Sequence, residues 1–178
     1  MSDCKIDAIK TKTILETSLF EVDEYNITLK SGRKVTHTVA KRNPTIAVIP
    51  LNEKNEVYLV KQYRYLLEQT TLETVAGFVD KGESPLQAAK RELKEETGII
   101  AQHWEEIAKL EMSASVFKAN MHIFLARDLE LGEATPEEDE DIEIIKIPLK
   151  DAIVKIKTGE INTSASVSGL LLLENILK

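Results

Sequence analysis

Residues 77–99 read GFVDKGESPLQAAKRELKEETGI, and the rest of the chain has to build around this stretch. Ser84-Pro85-Leu86-Gln87 is a helix start. Serine caps, proline suits the first helical position, and glutamine three residues after the serine closes a capping box. Thr97-Gly98 is the matching stop, because glycine takes the left-handed conformation at a helix C-terminus without penalty. A helix over 84–97 is therefore expected. Leu86, Ala89 and Leu93 recur at i, i+3 and i+7 and are read as its buried stripe. Glu92, Glu95 and Glu96 then share the adjacent face at i, i+3 and i+4.

Three carboxylates at helical spacing repel one another unless cations stand among them. Arg91 is a natural i, i+4 partner of Glu95, so an ordinary salt-bridged surface is one reading. A divalent-cation site is the other, since Mg²⁺ and Mn²⁺ favour hard oxygen ligands. The longer spacing separates the two readings. Gly77, five residues, Glu83, seven residues, then Arg-Glu-Leu-Lys-Glu-Glu-Thr-Gly-Ile over 91–99 agrees with nine of nine specified positions in the Nudix box. The chain resembles a Nudix hydrolase.

That resemblance implies an α/β/α sandwich with a mixed sheet, in which a loop-helix-loop grips a diphosphate through divalent cations. Carried over residue by residue, Glu92, Glu95 and Glu96 are implied metal ligands, joined by the backbone carbonyl of Ala76, with Glu96 also assigned to catalysis. Mg²⁺ is the implied cofactor, with Mn²⁺ as a substitute. Glu83 and Arg91 are implied to pair and shape the loop, and Gly77 and Gly98 to serve backbone geometry. Cations in such a site neutralise the diphosphate and polarise the attacked phosphorus.

The flanks narrow the likeness. LETVAGFVDKGE and the preceding VKQYRYLLEQ resemble the corresponding stretches of ADP-ribose and nucleoside-diphosphate-sugar pyrophosphatases. The resemblance assigns Arg64 to the substrate's phosphates, a task that suits a guanidinium fork. It sets Glu73 beside the site and lets Arg42 contribute across a homodimer. Beyond the box, PEEDEDIEI matches the loop that carries the catalytic base, implying Glu138, with Glu140 second. The tail GEINTSASVSGLLLLE also resembles that subfamily. One stretch departs from it. Met112 to Ala119 reads MSASVFKA where a Ser-Pro-Gly turn followed by a glutamate is usual. Ser113 and Ser115 remain able to bond a sugar, and a range of nucleotide sugars wider than ADP-ribose becomes the expectation. GDP-mannose, a dinucleoside polyphosphate, and a non-catalytic nucleotide-sugar sensor are the alternatives.

Composition agrees with a small globular protein. Of 178 residues, 43% are hydrophobic and 30% charged, with a formal net charge of −7. Residues 130–143, ELGEATPEEDEDIE, hold eight acids and no base, so the remainder is close to neutral. Nothing here suits non-specific nucleic-acid binding. One cysteine, Cys4, excludes an internal disulfide framework or a cysteine-based zinc site. The polar start MSDCKIDAIK and the absence of an apolar run near 20 residues point to a cytoplasmic protein with no membrane partner.

Outside the box, LFEVDEYNITLK and RKVTHTVAKR flank a Ser31-Gly32 turn and read as a hairpin. Residues 1–42 are expected to form this small β subdomain, a dimerisation arm, and 43–178 the Nudix domain. Strands are expected at 45–51, 56–64, 72–79, 105–112, 121–127 and 142–148. Helices are expected at 149–158 and 164–177, parted by Gly159.

Overall fold

A computed structural model describes residues 6–134 and 142–178. Its elements run in chain order β1 (Asp7–Glu16), β2 (Phe20–Thr28), β3 (Lys34–Arg42), β4 (Thr45–Pro50), β5 (Glu56–Arg64), β6 (Gln69–Glu73) and β7 (Val75–Phe78). There follow α1 (Pro85–Thr97), β8 (Ile100–Glu111), β9 (Phe117–Lys118), β10 (Asn120–Glu130), β11 (Glu143–Pro148), α2 (Leu149–Thr158) and α3 (Ser164–Ile176). The chain divides into two compact units. One takes Pro44–Leu110 and Met121–Lys178; the other takes the described part of Met1–Asn43 together with Glu111–Asn120.

The larger unit is an α/β/α sandwich built on the sheet β7-β4-β10-β8. Strands β4 and β10 run parallel, and β7 pairs antiparallel with β4. Both central strands are apolar on both faces, as a doubly covered sheet requires. Side chains alternate across a strand, so Ile46 and Val48 of β4 join Phe124 and Ala126 of β10, packed with Ala88, Ala89 and Leu93 of α1. Ala47, Ile49, Ile123 and Leu125 point the other way, onto Ala152 and Ile153 of α2 and Leu170 and Leu173 of α3. A second sheet, β11-β5-β6, completes the unit.

Two sequence readings need correction here. Residues 72–79 are not one strand: β6 pairs with β5 and β7 pairs with β4, with the switch at Thr74. The Thr74 amide donates to Ser166 Oγ of α3 at 2.9 Å, so a helix hydroxyl replaces the ladder bond lost at the junction. Leu86 is also not part of the buried stripe of α1. It stands 37% exposed, and Ala88, Ala89, Leu93, Glu96 and Thr97 are the buried residues. The leucine at the start of the helix faces out, and the buried face takes in the carboxylate of Glu96 at the other end.

In the smaller unit a four-stranded sheet runs β1-β2-β3-β9. The expected hairpin is β2-β3, but β1 was not expected, and all ten of its residues are exposed. It is held by its ladder with β2 and by cross-strand pairs such as Lys10–Glu21 at 2.5 Å. Asp23 of β2 is fully buried between the ammonium groups of Lys10 and Lys41. Despite burial, these two donors hold its carboxyl well below the usual range.

Gly98 closes α1 at φ 69° and donates to the Lys94 carbonyl at 2.8 Å. A methyl group there meets backbone: Gly132 O at 2.5 Å and Glu133 C at 2.6 Å. Strain at positive φ and a clash that no side-chain rotation relieves act together. Gly98→Ala is expected to cost at least about 2 kcal/mol, read as a lower denaturant midpoint at unchanged slope.

Candidate functional site

The helix that carries the acids is capped as its sequence dictates. Gln87 N donates to Ser84 Oγ at 3.3 Å and Ser84 N to Gln87 Oε1 at 2.8 Å. With α1 anchored at both ends, Glu92 lies over the backbone of β7. The missing side chain of Gly77 makes that approach possible, because a methyl built there falls 2.0 Å from Glu92 Oε1 and 2.1 Å from Glu92 Cδ. Ala76, whose carbonyl the resemblance nominates, is the neighbouring residue of that strand. Glu96 is 3% exposed, one turn further along the helix, and Glu95 lies toward solvent.

Arg91 organises this face. Its Nη1 donates to Glu92 Oε1 at 2.8 Å and to Glu95 Oε2 at 3.0 Å, the i, i+4 pair expected from the sequence. Its Nε and Nη2 fork onto the two oxygens of Glu83, both at 3.2 Å, and Nη2 also reaches the Phe78 carbonyl at 3.0 Å. Glu83 first, then Glu92 and Glu95, raise the guanidinium further above its already high range against the opposing effect of burial. Arg91 in turn holds Glu83 below the ordinary carboxylate range. Glu83 accepts from the Asp80 amide as well, which closes the loop between β7 and α1.

The donor set fits a divalent cation in its chemistry. Three carboxylates share one helix face, and a glycine cradle holds one of them against the strand that bears the Ala76 carbonyl. As they stand, no three acidic, histidine or cysteine side chains among the described residues converge on one point. Arg91 Nη1 occupies the place between Glu92 and Glu95.

A second polar cluster lies along the antiparallel β5-β6 ladder. Arg64 grips Glu73 bidentately, Nε to Oε1 at 3.1 Å and Nη2 to Oε2 at 2.8 Å. Glu73 is 6% exposed, and its Oε1 also accepts from the Thr71 hydroxyl. Thr71 was not singled out in the sequence; two residues from Glu73 on one strand, it shares that face. A His122–Glu106 pair at 2.7 Å on β10 and β8 was likewise not foreseen.

The model matching the NUDIX domain covers residues 41–166, well over half of the chain. This chain belongs to the Nudix family. Among its relatives is the ADP-ribose pyrophosphatase of Bacillus subtilis (strain 168), 32% identical over 161 residues, which cover 86% of this chain and 87% of that protein. Another is the GDP-mannose pyrophosphatase of Enterobacter sp. (strain 638), 31% identical over 171 residues, or 88% of each chain. A crystal structure of an ADP compounds hydrolase superposes with a TM-score of 0.84 at 27% identity, covering 97% of this chain and 94% of that one.

The Nudix site residues named from the sequence fall into three groups. Ala76, Gly77, Glu83, Arg91, Glu92, Glu95, Glu96 and Gly98 gather on β7, α1 and the loop between them, and Arg64 and Glu73 form the pair just described; all lie in the larger unit. Arg42 and Ser113 belong to the smaller one. There the Arg42 guanidinium lies over the Phe117 ring at 5.5 Å, and Ser113 Oγ accepts from the amides of Ser115 and Val116. Glu138 and Glu140 lie outside the described residues.

Proposed function

We propose that this Nudix hydrolase is a Mg²⁺-dependent pyrophosphohydrolase that cleaves ADP-ribose or a related nucleoside-diphosphate sugar. Its products are a nucleoside monophosphate and a sugar phosphate. The observation that carries this reading is the carboxylate face of α1, with Glu92 seated on the Gly77 cradle. Relatives that act on ADP-ribose and GDP-mannose support the substrate class.

Glu92, Glu95, Glu96 and the Ala76 carbonyl are the groups that would hold the cation, Mg²⁺ or Mn²⁺. Bound there, it would offset the charge of the diphosphate and polarise the attacked phosphorus. The chain's own residues do the rest. Arg64, fixed in direction by its buried partner Glu73, presents a planar donor set to phosphate oxygens. Glu83 and Arg91 keep the loop before α1 in place, so the carboxylates are positioned before substrate arrives. An acid in 137–143, Glu138 ahead of Glu140, takes the proton of the attacking water. The water oxygen ends on one phosphate as the bridging P–O bond breaks. Arg42 and Ser113 are further substrate contacts in this reading.

The 112–119 segment favours a broad range of substrates. Phe117 and Lys118 pair in parallel with Ala40 and Lys41, and the turn before them is closed by the Ser113 hydroxyl rather than by proline and glycine. Product analysis with Mg²⁺ on ADP-ribose, ADP-glucose, GDP-mannose, UDP-glucose, diadenosine polyphosphates and NADH tests this. Comparable turnover of several nucleotide sugars is expected. Turnover of dinucleoside polyphosphates alone would replace the substrate assignment, and cation binding without turnover would favour a sensor.

A homodimer and a cytoplasmic location, where such nucleotides are made and used, go with this proposal. Among the described residues β1 is an edge strand, and with Ile9 and Ile14 exposed it offers a pairing surface for a second copy. Sedimentation at micromolar concentration is expected to give the dimer mass; a monomer would remove Arg42 from the site of a partner.

A further inference from the structure

We infer that Thr71 is a positioning residue for the phosphate grip: its hydroxyl fixes the Glu73 carboxylate and, through it, the plane of the Arg64 guanidinium. The inference rests on the reading of Arg64 as the contact of the substrate's phosphates.

Strand register makes the Arg64–Glu73 bridge a long one. Along the β5-β6 ladder Arg64 stands opposite Gln69 and Glu73 opposite Val60, with the Gln62–Thr71 rung midway between them. Four residues of strand, about 14 Å, separate the outer two rungs. Residues two apart on a strand share a face, so Arg64, Thr71 and Glu73 project to the same side. The two charged side chains therefore meet only by reaching toward each other along the ladder, and Thr71 stands on the rung they reach across. Side chains that long have many rotamers, and fixing them costs conformational entropy.

Thr71 supplies the fixed point. It is 2% exposed, and its hydroxyl has two acceptors in reach, Glu73 Oε1 and, at 3.3 Å, the Gln62 carbonyl. A hydroxyl has one proton to give, and a carboxylate oxygen is the stronger acceptor, so the proton goes to Glu73. β-Branching leaves threonine few χ1 choices, which holds the hydroxyl in one place. Glu73 Oε1 then accepts from Thr71 and from Arg64 Nε, and Oε2 from Arg64 Nη2. Three donors on two oxygens set the plane of the carboxylate, and the bidentate fork passes that plane to the guanidinium. The order of burial agrees: the Glu73 side chain is 7% exposed and that of Arg64 41%, so the acid is the anchor and the arginine is what it aims. Without the hydroxyl the arginine keeps its partner and loses its direction.

Steady-state kinetics of Thr71→Val and Thr71→Ser, on the nucleotide sugar that wild type turns over fastest, test this. Valine keeps the branched shape and removes the hydroxyl. KM is expected to rise about tenfold in Thr71→Val, the equivalent of one hydrogen bond to a charged group, with kcat within about threefold of wild type. Thr71→Ser, which retains the hydroxyl, is expected to stay within about twofold of wild type. In an Arg64→Ala background Thr71→Val is expected to add nothing, because the two residues act in series. Side-chain ¹⁵N NMR reads the same link without turnover. The Arg64 Nε–H is expected to exchange with solvent about tenfold faster in Thr71→Val than in wild type or Thr71→Ser. Should Thr71→Val not fold, Thr71→Ala takes its place in both measurements. A lower denaturant midpoint in Thr71→Val with KM and the Nε–H unmoved would make the threonine merely structural and overturn the inference. A KM effect that persists in full without Arg64 would do the same, and both results leave Arg64 as the phosphate contact. Arg64→Ala with the KM of wild type would overturn that contact and the inference together.

Discussion

Glu96→Gln, and equally Glu92→Gln, is expected to lower turnover of a nucleoside-diphosphate sugar by about a thousandfold or more, with circular dichroism unchanged. A carboxylate that holds a catalytic cation underwrites several kcal/mol of charge stabilisation in the transition state, and each 1.36 kcal/mol is about a factor of ten in rate. Glutamine keeps the shape of the side chain but removes the charge. Glu96 is the sharper test because it is buried against the core side of α1. Glutamine keeps the size and a polar end of this buried side chain, so the variant is expected to stay folded with a denaturant midpoint close to that of wild type. Loss of activity together with retained stability is the signature of a residue kept for chemistry. Turnover within a few fold of wild type in both variants would remove the α1 carboxylates from the mechanism.

Gly77→Ala is expected to abolish most activity while costing little stability. The added methyl falls 2.0 Å from Glu92 Oε1, a contact that must be relieved. The atoms in the way are the far end of a flexible side chain, so relief comes by swinging Glu92 out of its seat rather than by moving backbone. Gly77 is not among the positive-φ glycines, so alanine brings no backbone strain. The opposite pattern is expected at Gly98, where the obstruction is main chain. Kinetics and denaturant midpoints measured on both variants check the pair: a large stability loss in Gly77→Ala, or full activity, would mean that the cradle is incidental.

The box was legible in the sequence because its information is local. Capping residues, the terminal glycine and the i, i+4 partnership of Arg91 and Glu95 depend on neighbours within a few positions, and each is found in the structure. Leu86 was misread because periodicity cannot say how wide the contact face of a helix is; Ala88 and Ala89 make the close approach to β4 and β7, and the acid Glu96 is drawn inside. The break at Thr74 is hidden in TLETVAG, an unbroken β-prone run. The partner that takes up the Thr74 amide there is Ser166, 92 residues away in sequence, and no local pattern carries that. Strand β1 escaped notice because it has no buried face to print an alternation. Asp23 was equally silent, since only the fold brings Lys10 and Lys41 to it.

The Thr74 junction has a consequence for how such a protein can diverge. Glu73, which aims the arginine proposed for the phosphates, and Gly77, which seats the acid proposed to hold the cation, are four residues apart on one continuous piece of chain clamped to α3. Covalent geometry acts as a ruler between them, and that ruler cannot be lengthened by remodelling a loop. Under the proposed function, changes of substrate are channelled into segments such as 112–119, where a turn can be rebuilt without altering the spacing between Glu73 and Gly77.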